Sequence, residues 1–589
     1  PIPNPQSPIP NPQSPIHIYT NLIHFINSKF INFFKSEKKN MYERIQKIAS
    51  FFGKENENPT DFISKENQEK YKIFKKWLID NGAIFQKNID FPYTYGPFHI
   101  VGCKCVSDIN DDEGILLVPK NLMIIGKELT YINKLIEEIK DELTEEEDLS
   151  TLFLTLNLYL EKDKKESFYK PYIDLIYTNR DYFSTWTEDN LIELQNTYMA
   201  LSIKNLLNEI EQMHKLLIKC KAFSKMTKEE YSFCYFQVIS RQFYLDEKNS
   251  ALVPLADLLN HSSVSIHYEI YDGENMVFKY SDHFTVEEDI KIDIRPTYLK
   301  EVPLIKPTYN KLKPLVVDKE NYKYPVTDLN ESNSDDEIIV NLNKNDYFCI
   351  STSMKQKMSK DSQAFNNYCD INNKSLLKYY GFCLIDNIFD YTDVVFQFDK
   401  NDQIINSCFP SIFDKRFKNN LSPNVNLLKI RCEYRSVCID LIKYYQFMYF
   451  YDANKVKDYF SFQFHINLEI TSIQLAVHGL NLKFKMMESR TQLKNELNEL
   501  ENEIYNEKNP NQLKVNFLIY RIRQKINILN QLDLLNSILK LMKKHRKITK
   551  YEDLFQYLNE LENVSQYDNE EHAKLKIINF IDIMSKIKK

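Results

Sequence analysis

Apolar and polar residues alternate along this chain in patterns that change several times between its two ends. From Glu69 to Ile84 the apolar positions recur every three or four residues, which predicts an amphipathic helix ending near Asn81-Gly82. Two short apolar runs bounded by turn residues, Phe98–Ile109 and Gly114–Ile125, predict β-strands. This part of the chain therefore predicts a domain that mixes helix and sheet.

A long helical region follows and then gives way to strands. From about Ile132 to Tyr244 the apolar positions recur at helical spacing. Strand character returns in ALVPLADLL, IHYEIYDG and NMVFKYSDHF, and Tyr271-Asp272-Gly273-Glu274 is typical of a hairpin turn. From Ile294 to about Ser362, prolines, lysines and the acidic run Glu331–Glu337 predict a flexible surface loop inserted into the domain.

The C-terminal part of the chain has the pattern of a helical bundle. After the strand-like run VVFQF, apolar positions recur at helical spacing from about Leu427 to the end, where glycine and proline are rare. One apolar stripe is formed by Leu518, Ile522, Ile526, Leu529, Leu532, Leu535, Leu539 and Met542.

Length and composition limit the classes of protein that fit. The 589 residues are enough for two to four domains, and 43% hydrophobic with 27% charged residues is an ordinary balance for a soluble protein. The net charge of −6 argues against direct nucleic-acid binding. The ten cysteines include no CxxC pair, which favours reduced thiols in an intracellular protein of the cytoplasm or the nucleus.

The N-terminal segment is unlike the rest. PIPNPQSPIPNPQSP is a tandem repeat that cannot bury a core, so residues 1–60 are predicted to be a low-complexity or disordered extension. The partly apolar stretch Pro15–Phe34 is interrupted by His, Asn and Lys side chains, so no membrane-spanning helix is predicted there.

Three separated segments carry the resemblance to a known family. IVGCKCVSDI, PLADLLNH and YCDINNKSLLKYYGF, in this order, resemble the SET-domain protein methyltransferases. More narrowly, they resemble the branch of the Rubisco large-subunit lysine methyltransferase and the actin-histidine methyltransferase. Thr151–Ile176 is similar to the helical insert of that branch, and Tyr520–Leu529 is similar to the arginine-bearing helix of its C-terminal substrate-binding domain.

The resemblance implies an α+β fold. We expect a SET-domain β-fold with a pseudoknot and a large helical insert, followed by an all-α C-terminal domain similar to the substrate-binding domain of that branch. The expected boundaries are 61–395 for the SET domain, about 130–245 for its helical insert, about 294–362 for the loop insertion and 396–589 for the C-terminal domain.

The resemblance also implies an activity, the transfer of a methyl group from S-adenosyl-L-methionine to a nitrogen of a protein substrate. Such chemistry depends mainly on aligning donor and acceptor, and on a dry channel that lowers the pKa of a lysine ammonium. Lysine is the favoured acceptor. A histidine methyltransferase of the same fold and a SET-derived binding or scaffold protein without catalysis remain alternatives. We expect a monomer acting on a protein substrate, with no membrane partner.

The cofactor site is expected around the Asn-His pair. By resemblance, the amide of Asn260 caps the amino-acid end of the cofactor and the backbone around His261 meets the adenine, although a turn that closes a buried strand would also explain the pair. Val101 and Gly102 match the cofactor loop. The first glycine of that loop is replaced by Ile100, a β-branched residue that cannot adopt a glycine-only conformation.

The catalytic residue implied by the resemblance is Tyr368, whose hydroxyl would orient the incoming amine. Tyr380 and Phe382 would wall the cofactor and the lysine channel, with Gly381 in register between them. Packing is the competing explanation for any single tyrosine, because the chain has 38 of them.

The resemblance implies two further binding residues and one acidic residue of the cofactor site. Arg241 matches an arginine that grips the cofactor carboxylate, and a surface arginine ending a helix is the alternative. Phe243 stands where lysine-modifying relatives have an aromatic residue in the channel, which favours lysine. Asp257 is expected near the cofactor, with a capping or turn role as its alternative. His99 replaces an acid often found before the cofactor loop.

No cysteine cluster follows Phe382, so no metal site is expected. The basic residues of the C-terminal bundle are expected to lie on a solvated helix face or to meet an acidic protein surface; they are Arg521, Arg523, Lys525, Lys543, Lys544 and Arg546.

Overall fold

A computed structural model provides the tertiary structure. It describes residues 41–56, 62–110, 113–143, 149–177, 187–246, 249–262, 264, 266–271, 279–280, 329–331, 338–340, 347–353, 356–368, 371–399, 401–413, 419–422, 425–452, 455–461, 463–506 and 510–587.

The strands form several small sheets. They are β1 (Ile89–Tyr95), β2 (Ile100–Cys105), β3 (Gly114–Pro119), β4 (Ile124–Ile125), β5 (Gln242–Asp246), β6 (Asn249–Leu252), β7 (Asn260–His261), β8 (Ile266–Tyr271), β9 (Lys279–Tyr280), β10 (Leu329–Glu331), β11 (Ile338–Val340), β12 (Tyr347–Thr352), β13 (Gln363–Asn366), β14 (Tyr391–Asp399), β15 (Asn419–Ser422) and β16 (Val425–Glu433).

The helices lie before, between and after these sheets. They are α1 (Met41–Phe52), α2 (Lys65–Asp80), α3 (Tyr131–Leu135), α4 (Leu149–Glu161), α5 (Lys170–Ile176), α6 (Glu188–Glu193), α7 (Thr197–Leu217), α8 (Lys228–Ile239), α9 (Asn373–Ser375), α10 (Gln403–Phe413), α11 (Ile439–Asp452), α12 (Val456–Ser461), α13 (Ile466–Glu488), α14 (Leu493–Asn506), α15 (Gln512–Lys544) and α16 (Glu570–Ile587).

The sheet that positions the site has the order β1-β2-β13-β7. β1, β2 and β13 pair antiparallel, whereas β13 runs parallel to β7. A parallel pair cannot be closed by a tight turn, so the chain must leave this sheet after β7 and return to it much later. The end of PLADLLNH forms β7, and YCDINNKSLLKYYGF, which we call the tyrosine segment, follows β13. The two segments are thereby placed side by side.

Two other sheets complete the mixed part of the fold. β12 lies between β3 and β8 in the order β3-β12-β8-β9, and β6 lies between β4 and β5. The helical insert runs from α3 to α8 and packs its own apolar core, in which Leu156 and Phe236 are buried. The α+β class expected from the sequence is thus present.

The C-terminal part is held together by α15, a helix of 33 residues buried on nearly all sides. Asn511 caps its N-terminus by accepting a hydrogen bond from the backbone N–H of Lys514. The predicted apolar stripe lies in this helix, and α13, α14 and α16 pack around it. A three-stranded sheet in the order β14-β16-β15 precedes the bundle. The strand-like run VVFQF lies in β14, but the helical structure expected from about Leu427 begins only after β16, because Val425–Glu433 pairs with β14 as a strand.

Several sequence-based boundaries differ from the structure. The extension predicted to reach residue 60 contains α1, because Ile45 and Ile48 bury against the C-terminal core and Arg44 pairs with Glu501 at 2.7 Å. The loop predicted over 294–362 contains β12 in its last part, and this strand is buried between β3 and β8. The boundary at residue 395 falls inside β14.

Other expectations agree with the structure or cannot be compared with it. The predicted first helix is α2, with Ser64 as its N-cap and Gly82 at φ 92° just after its end. Residues 1–40 and the turn residues Asp272 to Glu274 lie outside the described residues.

Candidate active site

The cofactor-loop segment and the Asn-His segment meet at the edge of the sheet β1-β2-β13-β7, which we call the first sheet. β13 pairs with β2 through Ala364 and Cys103 on one side, and with β7 through Phe365 and Asn260 on the other. The side-chain amide of Asn260 donates a hydrogen bond to the carbonyl oxygen of Val101 at 3.1 Å. Two segments separated by about 160 residues in sequence are therefore in direct contact.

Gly102 is required by this contact. A Cβ atom added at Gly102 would lie 2.6 Å from Nδ2 of Asn260 and 2.7 Å from Nε2 of Gln363. Both distances are shorter than a van der Waals contact, so any larger residue would displace the Asn260 amide. The glycine predicted from the cofactor loop thus has a structural reason that involves the site itself.

Gly102→Ala is expected to weaken S-adenosylmethionine binding about 10-fold, because the Asn260 amide is pushed from its position. The free energy of unfolding should change little, because the atoms crowded by the new methyl group are the ends of two flexible side chains. Calorimetric titration with the cofactor and a thermal melt measure the two effects. Gly53→Ala is the matched control, because a Cβ there would meet only one atom, at 3.9 Å. Unchanged affinity in Gly102→Ala would contradict a cofactor site at this edge.

Four aromatic side chains pack together beside Asn260. The ring of Tyr368 stacks between His261 and Tyr380, with its centroid 5.0 Å from each of them. Phe382 lies 6.2 Å from His261 and 6.3 Å from Tyr380. These separations are within the range of favourable aromatic contacts. The structure therefore brings together the predicted catalytic tyrosine, the two wall residues and the histidine of the Asn-His pair.

Hydrogen bonds hold Tyr368 at both ends. Its hydroxyl donates to the carbonyl oxygen of Leu259 at 2.9 Å, and its backbone N–H donates to Nδ1 of His261 at 3.1 Å. Nδ1 must be unprotonated to accept this bond, so His261 is neutral. Only 5% of the His261 surface is exposed, and this burial lowers the pKa of His261 to about 4. A hydrogen bond with the Asn366 backbone raises the pKa by a smaller amount.

The neutral His261 predicts a loss of stability in acid. Its pKa of about 4 in the folded protein is below the ~6.5 of an unfolded chain, so between these values the unfolded chain binds a proton that the folded protein does not. The free energy of unfolding should therefore fall as the pH decreases from about 6.5 to 4, by up to about 3 kcal/mol from this residue. Urea denaturation of the wild type and of His261→Asn across this range tests it. Equal pH slopes for the two proteins would refute it.

A buried acid lies beneath Arg241. Asp257 accepts hydrogen bonds from Nη1 of Arg241 at 3.1 Å and from the hydroxyl of Tyr172 at 2.9 Å, both at Oδ2. Burial raises the pKa of the Asp257 carboxyl, and the Arg241 charge partly offsets this effect. Nε of Arg241 also donates to Gln237 at 3.1 Å. Arg241 is thus not the surface arginine that the sequence left open, and its guanidinium is held in place from two sides.

The turn that presents Asp257 is conformationally strained. Leu255 is fully buried and has φ 78° and ψ −48°, a region that side chains other than glycine rarely adopt. Such a conformation costs roughly 1–3 kcal/mol and persists only where the surroundings enforce it. Here the buried apolar segment around Leu255 enforces the turn, which places Asp257 against Arg241.

The tyrosine segment is held from the C-terminal bundle. Gly381 has φ 77°, which explains why glycine stands between Tyr380 and Phe382. The amide of Asn516, on α15, donates to the Gly381 carbonyl and accepts from the Cys383 N–H, both at 3.0 Å. The second domain therefore fixes the backbone on both sides of Phe382.

The remaining predicted residues, Phe243, His99 and Ile100, have other contacts. Phe243 is on β5 and packs edge-to-face against Phe348 of β12, with centroids 5.0 Å apart. His99 stacks on Phe62 at 3.6 Å, and its Nδ1 lies 3.0 Å from Oδ1 of Asn56. The ring of His99 thus contacts the part of the chain that precedes β1. Ile100 pairs with Tyr95 in the hairpin of β1 and β2.

Sequence reasoning missed two residues of the site. Tyr172 belongs to the SFYKPY run, which supported the family resemblance but did not suggest a bond to Asp257. Asn516 lies within a helix of the C-terminal bundle, and nothing in its sequence context distinguishes it from a surface amide. Only contact between distant segments identifies either one.

Two other kinds of feature are absent from the described part of the chain. Within those residues, no group of three or more His, Cys, Asp or Glu side chains is placed to hold a metal ion. No helix in the same ranges combines the length and the apolar character that crossing a bilayer requires.

Comparison with known proteins gives consistent relatives. No family model matches the sequence. The chain is 28% identical over 214 residues to the chloroplastic [fructose-bisphosphate aldolase]-lysine N-methyltransferase of Arabidopsis thaliana, covering 35% of this chain and 42% of the relative. It is 23% identical over 327 residues to the protein-lysine N-methyltransferase EFM1 of Saccharomyces cerevisiae, covering 54% and 50%. It is 21% identical over 237 residues to the actin-histidine N-methyltransferase of Canis lupus familiaris, covering 38% and 40%.

These matches span only part of the relatives. The chain covers half or less of the length of each, between 40% and 50%. The fold comparison is broader. The crystal structure of the SET domain of LSMT bound to lysine and AdoHcy superposes with a TM-score of 0.51 at 15% identity, over 84% of this chain and 99% of that chain. The expected resemblance is confirmed: the chain has the SET-domain fold seen in LSMT and is a homologue of the protein-lysine and actin-histidine N-methyltransferases.

Proposed function

We propose that this protein is an S-adenosylmethionine-dependent N-methyltransferase that modifies a lysine of a protein substrate. The observation that carries the proposal is the convergence of three distant segments at one edge of the first sheet. The Asn260 amide on the Val101 carbonyl and the packed rings of His261, Tyr368 and Tyr380 lie side by side there. A wholly structural role for these residues would not require this combination.

The residues at the sheet edge fit the amino-acid end of the cofactor. Nδ2 of Asn260 is committed to Val101, and Oδ1 forms no hydrogen bond with a described residue, so it can accept one from an ammonium group. Gly102 keeps this side of the amide uncovered. Arg241 would bind the cofactor carboxylate, and its pairing with Asp257 would orient it. We propose that Val101, Gly102, Asn260, His261 and Arg241 bind the cofactor.

The aromatic cluster would receive the acceptor nitrogen. S-adenosylmethionine, when bound, supplies a sulfonium methyl group that a nitrogen can take up. Tyr368, held through its hydroxyl on the Leu259 carbonyl, would orient the amine, and Tyr380 and Phe382 would exclude water. Burial that lowers the pKa of His261 would act in the same direction on a lysine ammonium, which favours its neutral, reactive form.

Lysine is preferred over histidine because of Phe243. Its ring packs against Phe348, and in a substrate channel it would present an apolar wall, which suits the methylene stem of a lysine better than the polar edge of an imidazole. The relatives include enzymes named for each acceptor, so the named activities do not decide between the two.

We further propose that the protein acts as a monomer inside the cell and does not bind nucleic acid. Its net charge of −6 supports the last point. The SET-like part and the C-terminal bundle would work as one unit, because Asn516 links α15 to the tyrosine segment.

Asn260→Ala is expected to weaken cofactor binding by about 1–3 kcal/mol, roughly 5- to 150-fold, because a hydrogen bond to a charged group is lost. Titration calorimetry of the wild type and of this variant with S-adenosylmethionine measures it. Asn372→Ala serves as the control, since its side chain only caps α9. Equal affinity in wild type and Asn260→Ala would place the cofactor elsewhere.

The reaction itself is tested on a lysate of cells grown with a methyltransferase inhibitor. The inhibitor is removed from the lysate before the assay. The wild type and radiolabelled S-adenosylmethionine are added, and mass spectrometry locates the new methyl groups. Methyl groups on lysine Nζ support the proposal, and methyl groups on imidazole nitrogens with lysine untouched would favour the histidine alternative. No cofactor binding at all would leave the scaffold alternative.

A further inference from the structure

A second recess lies away from the aromatic cluster, where the helical insert meets the C-terminal bundle. Its walls come from Leu194, Gln195, Asn196 and Met199, from β14, from the end of α13 and from α15. The recess is partly open to solvent. We call it the junction pocket.

Several basic side chains line the junction pocket, and some already have acidic partners. Nε of Arg521 donates to Glu496 at 2.8 Å, and Nζ of Lys525 donates to the same carboxylate at 2.6 Å. Arg490, at the rim, donates to the backbone carbonyl of Gln195. Glu496 thus offsets part of the charge of Arg521 and Lys525, whereas the contact of Arg490 is with a neutral carbonyl.

Lys374 and Lys483 are different. Both are only partly exposed and both line the junction pocket, yet neither forms a hydrogen bond or an ion pair within 4.0 Å with any residue in the described ranges. Asp393 lies near enough to act electrostatically on both but pairs directly with neither. Two ammonium groups and one carboxylate therefore face a space that none of them fills.

The surroundings of the two lysines are also positive. Burial lowers the pKa of each, and like charges lower it further: Lys429 and Lys378 act on Lys374, and Arg490 acts on Lys483. Asp393 supplies the main opposing effect at each lysine. One carboxylate cannot balance this set of cations, so an anion that entered the pocket would be attracted.

We propose that the junction pocket binds an oxyanion, a phosphate or carboxylate group held between Nζ of Lys374 and Nζ of Lys483. Lys374 stands six residues before Tyr380, at the start of the helical turn that carries this wall residue. An anion bound there would therefore rest against the element that forms one wall of the aromatic cluster. The proposal does not depend on methyl transfer.

The test uses inorganic phosphate as the probe, titrated into the full chain at pH 7 and constant ionic strength in a buffer without other oxyanions. Calorimetry should detect saturable binding to the wild type. Lys374→Gln/Lys483→Gln should weaken it by at least about 10-fold, because two charge-assisted hydrogen bonds are lost. Lys543→Gln/Lys547→Gln, which removes two exposed charges from the end of α15 and the loop after it, is the matched control and should bind as the wild type does.

Asp393→Asn provides a test of opposite sign. Removing Asp393, a carboxylate that acts on both lysines, should tighten phosphate binding by about 5-fold or more. No saturable binding to the wild type, equal weakening in both double variants, or weaker binding to Asp393→Asn would each overturn the proposal. S-adenosylmethionine titration of the same variants separates its failure from that of the proposed function, because the cofactor residues are untouched.

A comparison of two probes identifies the source of the oxyanion. The tripeptide acetyl-Ala-phosphoserine-Ala-amide and inorganic phosphate present the same group with and without a peptide. Tighter binding of the tripeptide through Lys374 and Lys483 supports an oxyanion carried by a protein. Tighter binding of inorganic phosphate through the same lysines supports a small-molecule anion.

Discussion

Tyr368→Phe is expected to lower the rate of methyl transfer about 100-fold while cofactor affinity stays within about 2-fold, because misplacing an acceptor by about 1 Å can cost this much. The hydroxyl of Tyr368 is held by the Leu259 carbonyl at 2.9 Å, at the centre of the aromatic cluster. The phenylalanine ring would keep the stacking on His261 and Tyr380 but lose the oxygen that orients the amine. Incorporation of labelled methyl groups into lysate protein gives the rate, and calorimetry gives the affinity.

Tyr379→Phe is the control for this experiment. Tyr379 is partly buried next to Tyr380 in sequence, and its ring lies under the Lys378 ammonium rather than in the aromatic cluster. Its replacement should leave the rate unchanged. A rate in Tyr368→Phe equal to that of the wild type would remove Tyr368 from the catalytic role.

Glu496→Leu is expected to destabilise the protein by about 3–5 kcal/mol. Glu496 is 1% exposed and pairs with Arg521 at 2.8 Å and Lys525 at 2.6 Å, both of which are buried in α15. Its loss would leave two buried cations without their main partner, and their burial limits how far water can solvate them. The midpoint and slope of urea denaturation measure the change in the free energy of unfolding.

Glu499→Leu removes an equal charge from the same helix. Glu499 pairs with Lys514 at 3.1 Å, but both side chains are almost half exposed, so the change should be less than about 1 kcal/mol. Equal effects of the two substitutions would mean that the buried cluster adds nothing beyond an ordinary surface pair.

The same cluster shows where the pattern of the sequence was misleading. Arg521, Arg523 and Lys525 were expected on a solvated helix face or against an acidic partner, and all three are buried. Arg523 is 1% exposed, donates to the Asn387 carbonyl at 2.7 Å and lies over the Tyr434 ring. A helical pattern identifies the apolar side of a helix, but it cannot reveal that distant acids and carbonyl groups will cover the polar side as well.

The residues of the candidate site could be found in the sequence, but the contacts between them could not. The Asn-His pair, the tyrosine and the YYGF segment could each be found in the sequence because glycine and motif spacing mark them. The bonds that make them a site run between β2, β7 and the segment after β13, and they depend on the parallel pairing of β7 with β13. Such pairing joins residues more than 100 positions apart, beyond the reach of local pattern.

Sequence by itself determined the class of fold, the order of its elements and the residue types available for binding and methyl transfer. These follow from apolar spacing, turn residues and motif order, which act over a few residues at a time. Tertiary structure decided which polar groups are buried, that Tyr172 and Asn516 support the site, and that Lys374 and Lys483 face a shared recess. Each of these depends on contacts between segments that no local pattern relates, because burial and charge balance are set by what packs against a residue and not by its neighbours in the chain.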